Sequence, residues 1–432
     1  MSNENIIERN LVGKKLLILG GISHMIDVVI TAKKMGIYTI VTDYDEESPA
    51  KKVADKSYTI STTDIDALEE IAKKEKVDGI FTGFEDTNTY SALEVCNRLK
   101  LPFYSNKEQL DTASNKVKFK EICKEYNLPV VETYDVKELE KGGLRKLNLK
   151  YPVIVKPVDS YGSKGITVCQ KESDLSEAIS KAKKFSKTKT YVIERFYTGH
   201  GVEINYTIQN GNIFLTAMSD RYVYKQHEQG APLPIAIVYP SNYLTKYAEK
   251  MDSLAKDMIN GMNIKNGVVA FQAVVEKSNI YLYEMAFRLT GEKHYQLVKK
   301  ESGIDLLKMM IELSLTGSCD LHRIEKNQVK EFKFPACNLS LLVRPGTVTK
   351  IKGVKNVSQM SEVIDITQLL YEDDIVSTVG DYNQMFARIN IVASNAVHLF
   401  EVIDTINNTI KVLDEQGENM LVSPFTKEIS EE

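Results

Sequence analysis

The N-terminal quarter of the chain alternates between short apolar runs and amphipathic stretches, and this rhythm restricts the fold more than any other feature. KLLILG at residues 15–20 reads as a buried strand ending in Gly20-Gly21. A helical stretch from Met25 to Met35 follows and stops at Gly36. YTIVTDYD is a second strand, with Asp43 and Asp45 at its C-terminal end. SYTIS, a helix over Ile65–Lys74 and the strand DGIFTGF continue the pattern. Strands joined through helices at this pace predict a parallel, doubly wound α/β sheet. Ligands of such sheets gather at the C-terminal ends of the strands. Gly20-Gly21 lacks the G-x-G-x-x-G spacing of a dinucleotide site, so NAD is not implied. It reads as a tight turn whose amides could meet an anionic substrate group.

At 432 residues the chain is too long for one core. At about 100–200 residues per domain, roughly two to four domains are expected. Lys plus Arg number 55 and Asp plus Glu 59, for a formal net charge of -4. That balance gives no general reason to bind nucleic acid or an acidic membrane. The cysteines, Cys96, Cys123, Cys169, Cys319 and Cys337, are odd in number and form no C-x-x-C. They read as reduced core thiols, not a disulfide framework or zinc site. No apolar run precedes Leu16, and none approaches the roughly 20 residues of a membrane span. A cytoplasmic protein with no membrane partner is expected. H-E-x-x-H and G-x-S-x-G are both missing, which argues against a hydrolase.

Residues 114–126 show a helical period in Phe119, Ile122, Cys123 and Tyr126, with Ser114 as the expected cap. Lys116, Lys120 and Lys124 share the other face, which on pattern alone is a solvated one. YPVIVKP is a buried strand carrying Lys156, a costly residue there unless it is paired or faces an anion. The SYGSKG turn follows, with Ser160, Tyr161, Gly162, Ser163 and Gly165 able to close backbone N–H groups over a phosphate. It precedes a strand and is not a Walker A loop. Residues 175–186 are helical, and TYVIERF is a strand ending in Glu194, Arg195 and Phe196. Its backbone could bond a flat base, with Glu194 taking a ribose hydroxyl or amino group; read alone, a solvent ion pair is the plainer account. VEINYTIQNGNIFLTAMSD is a hairpin turning at Asn210-Gly211. Residues 221–240, with Gly230, Pro232, Pro234 and Pro240, read as a long loop of the kind that forms lids.

Residues 268–296 carry the strongest chemical pattern: two strands flanking a polar loop, taken as Lys277-Ser278-Asn279. Glu276 then faces Ile280, and Gln272 falls opposite Glu284. Such partners have Cβ atoms about 4.5–5.5 Å apart on one face. One oxygen ligand from each suits a hard cation such as Mg²⁺. A two-residue loop would break this register. Arg288, four residues past Glu284, suits a phosphate or carboxylate, unless it simply pairs with Glu284. Gly291 frees a backbone whose amides could hold an oxyanion. From about residue 330 onward strands and turns alternate, as in LSLLVRPGTVTKI, followed by a helical pattern near 395–413 and a loose tail beyond Gln416.

The order of these features resembles the ATP-grasp superfamily: Lys116 on a helix, Lys156 in I-V-K-P, the SYGSKG loop, Ile193-Glu194-Arg195, then Gln272, Glu284 and Arg288. The N-terminal region looks like the pre-ATP-grasp domain of such enzymes, including purine-biosynthetic carboxylases. LSLLVRPGTVTKIKGV resembles the terminal domain of L-amino-acid ligases and their carboxylase relatives. The resemblance implies a pre-ATP-grasp-like domain over 1–112, an ATP-grasp domain over 113–320 with its small lobe at 150–196, and a mostly β segment over 321–432 completing the large lobe. Two α+β lobes would enclose ATP.

Lys116 and Lys156 would hold phosphates, Glu194 to Phe196 would face adenine, and Glu203 would meet the ribose or a nearby polar network. Glu284 and Gln272 would ligate Mg²⁺, with Mn²⁺ as a substitute, and Arg288 would contact the transferred phosphoryl group and the substrate carboxylate. Tyr222, Tyr224, Lys225 and His227, with Arg288 and Gly291, are the candidate substrate contacts. Two departures stand out: Gln272 where the family commonly has Glu, and Ala286 where it commonly has Asn. The implied activity is an ATP- and Mg²⁺-dependent ligase that joins a carboxylate, such as an amino acid or small acid, to an amine through an acyl phosphate. The alternatives are a bicarbonate-activating carboxylase or carbamoyl-phosphate type, and a non-catalytic ATP-binding relative. A homodimer is the family-based expectation.

Overall fold

The computed structural model describes residues 11–136, 148–160, 164–224, 233–320, 324, 332–377, 382–422 and 424–426. Its first sheet joins β1 (Lys15–Leu19), β2 (Tyr38–Asp43), β3 (Lys56–Thr59) and β4 (Gly79–Thr82) in the order β3-β2-β1-β4. Every pair is parallel, as the strand–helix rhythm predicts. Leu16 to Leu19 are wholly buried because helices cover both faces of such a sheet. Helix α1 (Met25–Lys34) buries Met25, Val28, Val29 and Ala32 and ends where Gly36 takes a left-handed φ of 77°. Helix α2 (Asp86–Leu99) leaves the C-terminal end of β4.

Helix α3 (Lys116–Glu125) is capped by Asn115, not by the expected Ser114. The Asn115 side chain accepts from the N–H groups of Val117 and Lys118, whereas Ser114 Oγ turns back to Leu110 O. A small antiparallel sheet follows, built of β5 (Thr133–Tyr134), β6 (Val153–Pro157), β7 (Thr167–Cys169) and β8 (Tyr191–Arg195) in the order β5-β8-β6-β7.

The largest element is a nine-stranded sheet. It contains β9 (His200–Gln209), β10 (Asn212–Tyr224), β11 (Leu233–Tyr239), β12 (Gly267–Glu276), β13 (Asn279–Ala286) and β14 (Ala336–Val343). Beyond β14 come β15 (Gly346–Thr347), β16 (Lys350–Lys352), β17 (Val363–Gln368), β18 (Ile375–Val376), β19 (Met385–Val392), β20 (Lys411–Leu413) and β21 (Leu421–Val422). The order is β13-β12-β9-β10-β11-β14-β19-β17, with β21 on β14; β15 pairs β18 and β16 pairs β20. Strands from the end of the chain thus extend a sheet begun near its middle.

Three expectations are corrected here. The stretch 221–240 is not one loop: β10 runs to Tyr224 and β11 starts at Leu233. Its prolines hid the strands, and Pro234 is tolerated because it pairs with Val223 beside a register shift. The helical pattern at 395–413 ends at Thr409 and gives way to β20. The tail beyond Gln416 is partly ordered, since Leu421 and Val422 pair with β14.

The first sheet is locked onto the rest of the molecule. Helices α4 (His294–Ser302) and α5 (Leu306–Thr316) pack against its underside, sharing one core with α1. Tyr104 OH donates to Phe287 O at 2.9 Å. A Cβ placed on Gly79 of β4 would lie 1.9 Å from Ser314 O of α5. All five cysteines are buried and unpaired. No helix among the described residues is long and apolar enough to cross a membrane. Gly79→Ala should therefore force β4 and α5 apart at a cost of about 1–3 kcal/mol. Urea unfolding checks this, and an unchanged midpoint would contradict the close contact.

Candidate active site

A cleft of about 1340 Å³ lies between the small sheet, the nine-stranded sheet and the strand ends of the first sheet. Lys116, the first residue of α3, points into it. Its Nζ donates to Ser160 O at 2.9 Å and lies 3.5 Å from Glu284 Oε1. Lys120, one turn on, is also buried, so this lysine face is not the solvated one its pattern suggests. Lys120 Nζ donates to Thr133 Oγ1 at 3.0 Å and to Glu194 Oε1. Lys156 of β6 stands 3.0 Å from Glu194 Oε2 and 5.0 Å above the Tyr283 ring.

Glu194 is 1% exposed, and both its oxygens are taken by lysines. It is a buried counter-charge, not a solvent ion pair, and it lines the cleft with each oxygen facing a lysine. Burial opposes its ionisation, but Lys156 and then Lys120 outweigh that and hold the carboxyl at about 2. Burial also opposes charge on both lysines. For Lys156 the nearby Glu194 and Glu284 win and raise its pKa; for Lys120 burial wins and lowers it.

The β12–β13 hairpin corrects one expectation and keeps its consequence. Its turn is two residues, Lys277-Ser278, both with positive φ, so Glu276 pairs with Asn279 rather than Ile280. That turn alone would slip the register. A bulge between Gln272 and Ala273 makes Tyr283 the extra residue and brings Glu284 opposite Gln272 after all. The bulged Tyr283 donates its hydroxyl to Gln272 Oε1 at 3.3 Å and accepts from Arg221 Nη1 at 3.1 Å. Glu203 of β9 is the next residue in the same row, opposite Gln272. It is fully buried beneath the cleft and is not part of its lining. Its Oε1 accepts from Asn205 at 3.3 Å, and Oε2 has no partner among the described residues. Burial, with Glu292 second, lifts its carboxyl to about 7. Ala286 faces Ala270, so no oxygen ligand stands at that rung.

No group of three or more His, Cys, Asp or Glu side chains able to hold a metal forms among the described residues. Magnesium is usually bound by one or two carboxylates together with substrate phosphates. Glu284 and Gln272, on one rung beside two lysines, fit a cation that arrives with a nucleotide.

Arg288 does not pair with Glu284. It grips Asp86, the first residue of α2, through Nε to Oδ1 at 2.8 Å and Nη2 to Oδ2 at 3.0 Å. Its Nη1 donates to Leu289 O at 3.1 Å. Of the other candidates, Ser160, Arg195, Phe196, Tyr222, Tyr224 and Gly291 line the cleft. Arg195 lies 3.4 Å from Glu276 and stacks over Tyr197. Gly165 has a left-handed φ of 78° and is not in the lining. Tyr161, Gly162, Ser163, Lys225 and His227 lie outside the described residues.

Sequence reasoning missed His24, Asp86, Lys120, Arg221, Tyr283, Glu292 and Arg388. His24 and Asp86 follow the ends of β1 and β4, where such sheets collect ligands, so that rule marked the place without the residues. Arg388 comes a hundred positions after Arg288 and carried no local signal.

Glu194→Gln keeps the shape and strands two buried ammonium groups, so it should cost about 3–5 kcal/mol near neutral pH. The loss should shrink in a double variant with Lys120→Met. A depressed carboxyl stabilises the fold above its ordinary value of 4.5, and that gain is lost as pH falls toward about 2. Wild type and variant should converge over that window. Urea midpoints measured across it check the sign, and a constant difference would refute the assignment.

Two segments of the chain match known families. Residues 115–321 match the family "Carbamoyl-phosphate synthase L chain, ATP binding domain", and residues 16–102 match "PylC-like, N-terminal domain". The chain is 25% identical to the carbamoyl phosphate synthase large chain of Clostridium acetobutylicum over 283 residues, which is 65% of this chain and 25% of that one. It thus spans about a quarter of the length of the large chains it matches. Its fold superposes on an L-amino acid ligase from Bacillus licheniformis with a TM-score of 0.74 at 18% identity, covering 94% of this chain and 99% of that one. For biotin carboxylase from Campylobacter jejuni the TM-score is 0.75 at 20% identity, with 94% and 93% covered. A segment matching a carbamoyl-phosphate-synthase-type ATP-binding domain thus follows one matching a PylC-like N-terminal domain, and the fold is of the ATP-grasp class.

Proposed function

We propose that this protein is an ATP- and Mg²⁺-dependent carboxylate–amine ligase acting on an amino acid or another small carboxylic acid. The observation that carries this reading is the convergence, in one cleft, of two buried lysines, the Glu284–Gln272 rung and an arginine held by a carboxylate from the first sheet. The likeness of the fold to an L-amino acid ligase supports it.

In the first step a substrate carboxylate oxygen attacks the γ-phosphorus in line and ADP leaves. Lys116 and Lys156 meet the charge on the phosphate oxygens, where positioning and electrostatics do most of the work. A bound Mg²⁺, held by Glu284 and Gln272, would supply further charge neutralisation. Arg288, fixed by Asp86, offers its remaining N–H groups to the transferred group. In the second step the amine nitrogen attacks the acyl carbon, loses its proton, and phosphate leaves. Closure of the cleft protects the acyl phosphate from water. ATP, the acid and the amine are the partners of this reading; it is cytoplasmic, and a homodimer is its assembly.

A bicarbonate-activating enzyme is the second reading. The carbamoyl phosphate synthase relatives and the biotin carboxylase fold favour it. A non-catalytic ATP-binding protein is the third, favoured by Ala286 facing Ala270.

Phosphate release from MgATP, with mass spectrometry of products, separates the three against a panel of amino acids, small acids and bicarbonate. The ligase reading expects acid-dependent release with a condensed product, reduced about 10²-fold or more by Glu284→Ala. Release with bicarbonate alone moves the assignment to the second reading. ATP binding without release under any condition moves it to the third. Asp86→Ala loosens Arg288 without touching the nucleotide lysines, so kcat should fall about 10²-fold with ATP affinity unchanged. A drop in ATP affinity alone would remove Asp86 from this role.

A further inference from the structure

Among the described residues, Arg388 is a cleft arginine whose one ion-pair partner sits beyond hydrogen-bond distance. Arg288 is held by Asp86, Lys293 lies 3.1 Å from Asp365, and Arg221 donates to Tyr283. Arg388 of β19 is 5% exposed and lines the cleft. Among the described residues its Nε donates to Met385 Sδ at 3.0 Å, and the Glu292 carboxylate stays 3.6 Å from Nη2. Buried guanidinium donors left without acceptors are costly, and a ligand that supplies the acceptors recovers that cost.

The space beside Arg388 is shaped by a missing side chain. A Cβ on Gly291 would stand 3.5 Å from Arg388 Nη1 and 3.8 Å from His24 Nε2. His24 is 9% exposed, lines the same cleft, and its Nδ1 has no partner among the described residues. Burial first, then Arg388 and Lys293, hold His24 neutral with a pKa of about 3. Its ring thus brings hydrogen-bonding capacity without competing charge.

The charges nearby leave a surplus. Burial opposes ionisation of Glu292, but Arg388 and then Arg221 overcome it and hold the carboxyl at about 2. Arg388 and Arg221 thus both face the Glu292 carboxylate. An arriving anion completes that balance. Ile22, Phe84 and Leu369 line the same cleft and offer apolar surface to an aliphatic side chain.

We infer that the gap bounded by Arg388, His24 and Gly291 is a carboxylate subsite, separate from the phosphate-side lysines, and that it anchors the amine substrate through a carboxylate of that substrate's own. The nucleophile is then an amino acid, not a simple amine. Gly291 follows Arg288 by three residues, so a molecule anchored there begins close to the arginine of the proposed transfer step. The carboxylate held at Arg388 is not consumed and persists in the product. The assignment of the bound molecule as nucleophile rests on the ligase reading; the carboxylate subsite itself does not.

The test is calorimetric binding to the full chain with Mg²⁺ and a non-hydrolysable ATP analogue. The probes are L-alanine and L-leucine, each beside its decarboxylated counterpart, ethylamine and isoamylamine. The amino acids should bind and the amines should fail to compete. Arg388→Gln should weaken amino-acid binding about tenfold or more by removing a charge-assisted contact, with affinity for the nucleotide analogue unchanged. Because Arg388→Gln also leaves Glu292 without its cation, Gly291→Ala is the second variant. Its methyl group meets only ordinary contact distances in the protein but occupies the gap, so it should weaken amino-acid binding in a normally folded chain. Amines binding as well as amino acids, both variants binding like wild type, or no amino-acid binding to wild type would each overturn the subsite. Failure of the ligase reading looks different: amino acids bind and respond to both variants, yet no amide forms from ATP.

Discussion

Three charged side chains buried together, Glu194 between Lys120 and Lys156, set the position of the elements on the lysine-bearing side of the cleft. They come from β8, α3 and β6, so one carboxylate ties a helix to two strands of the small sheet. None of the three is tolerable alone at this depth, since an unpaired buried charge is costly. The triad therefore forces the elements together, and Lys116, one turn before Lys120, is aimed at Ser160 and Glu284 as a result. Lys156 serves two masters: it completes the triad and leans over the ring of Tyr283.

A second tie runs across the molecule. Asp86 begins a helix of the first sheet and closes on Arg288, 202 residues away, with two hydrogen bonds. The first sheet is thus part of the cleft's wall and not an appendage to it. Its mounting leaves no slack, because Gly79 meets the backbone of the helix behind it. The strand ends of this sheet, the row of the nine-stranded sheet and Arg388 of β19 then share one cavity. Its lining carries both the paired lysines with the Glu284–Gln272 rung and the group of His24, Gly291, Glu292 and Arg388.

The β12–β13 hairpin shows how local geometry can preserve a chemical pairing that simple counting would lose. A two-residue turn with left-handed φ at Lys277 and Ser278 shifts the register by one, and a bulge takes up the shift before Gln272 and Glu284. Bulges re-aim side chains, and the residue displaced here, Tyr283, becomes the link between Gln272 and Arg221.

Periodicity and local residue chemistry in the sequence determined the parallel first sheet, the helices at 25–34 and 116–125, the Asn210-Gly211 hairpin and the order of Lys116, Lys156, Glu194, Gln272, Glu284 and Arg288. Those features depend on neighbours a few residues apart, which is the range over which burial patterns and turns act. The partners were beyond that range. That Lys120 is buried, that Glu194 serves two lysines and that Asp86 holds Arg288 depend on segments brought together only when the sheets pack. Pro234 masked β11 because a bulge makes it acceptable, and Arg388 had no signal because its meaning lies in Gly291 and His24 across the cleft. Sequence determined which groups the chain carries along each element; tertiary structure alone decided which charges meet, because a buried charge takes its role from whichever partner packing places within reach.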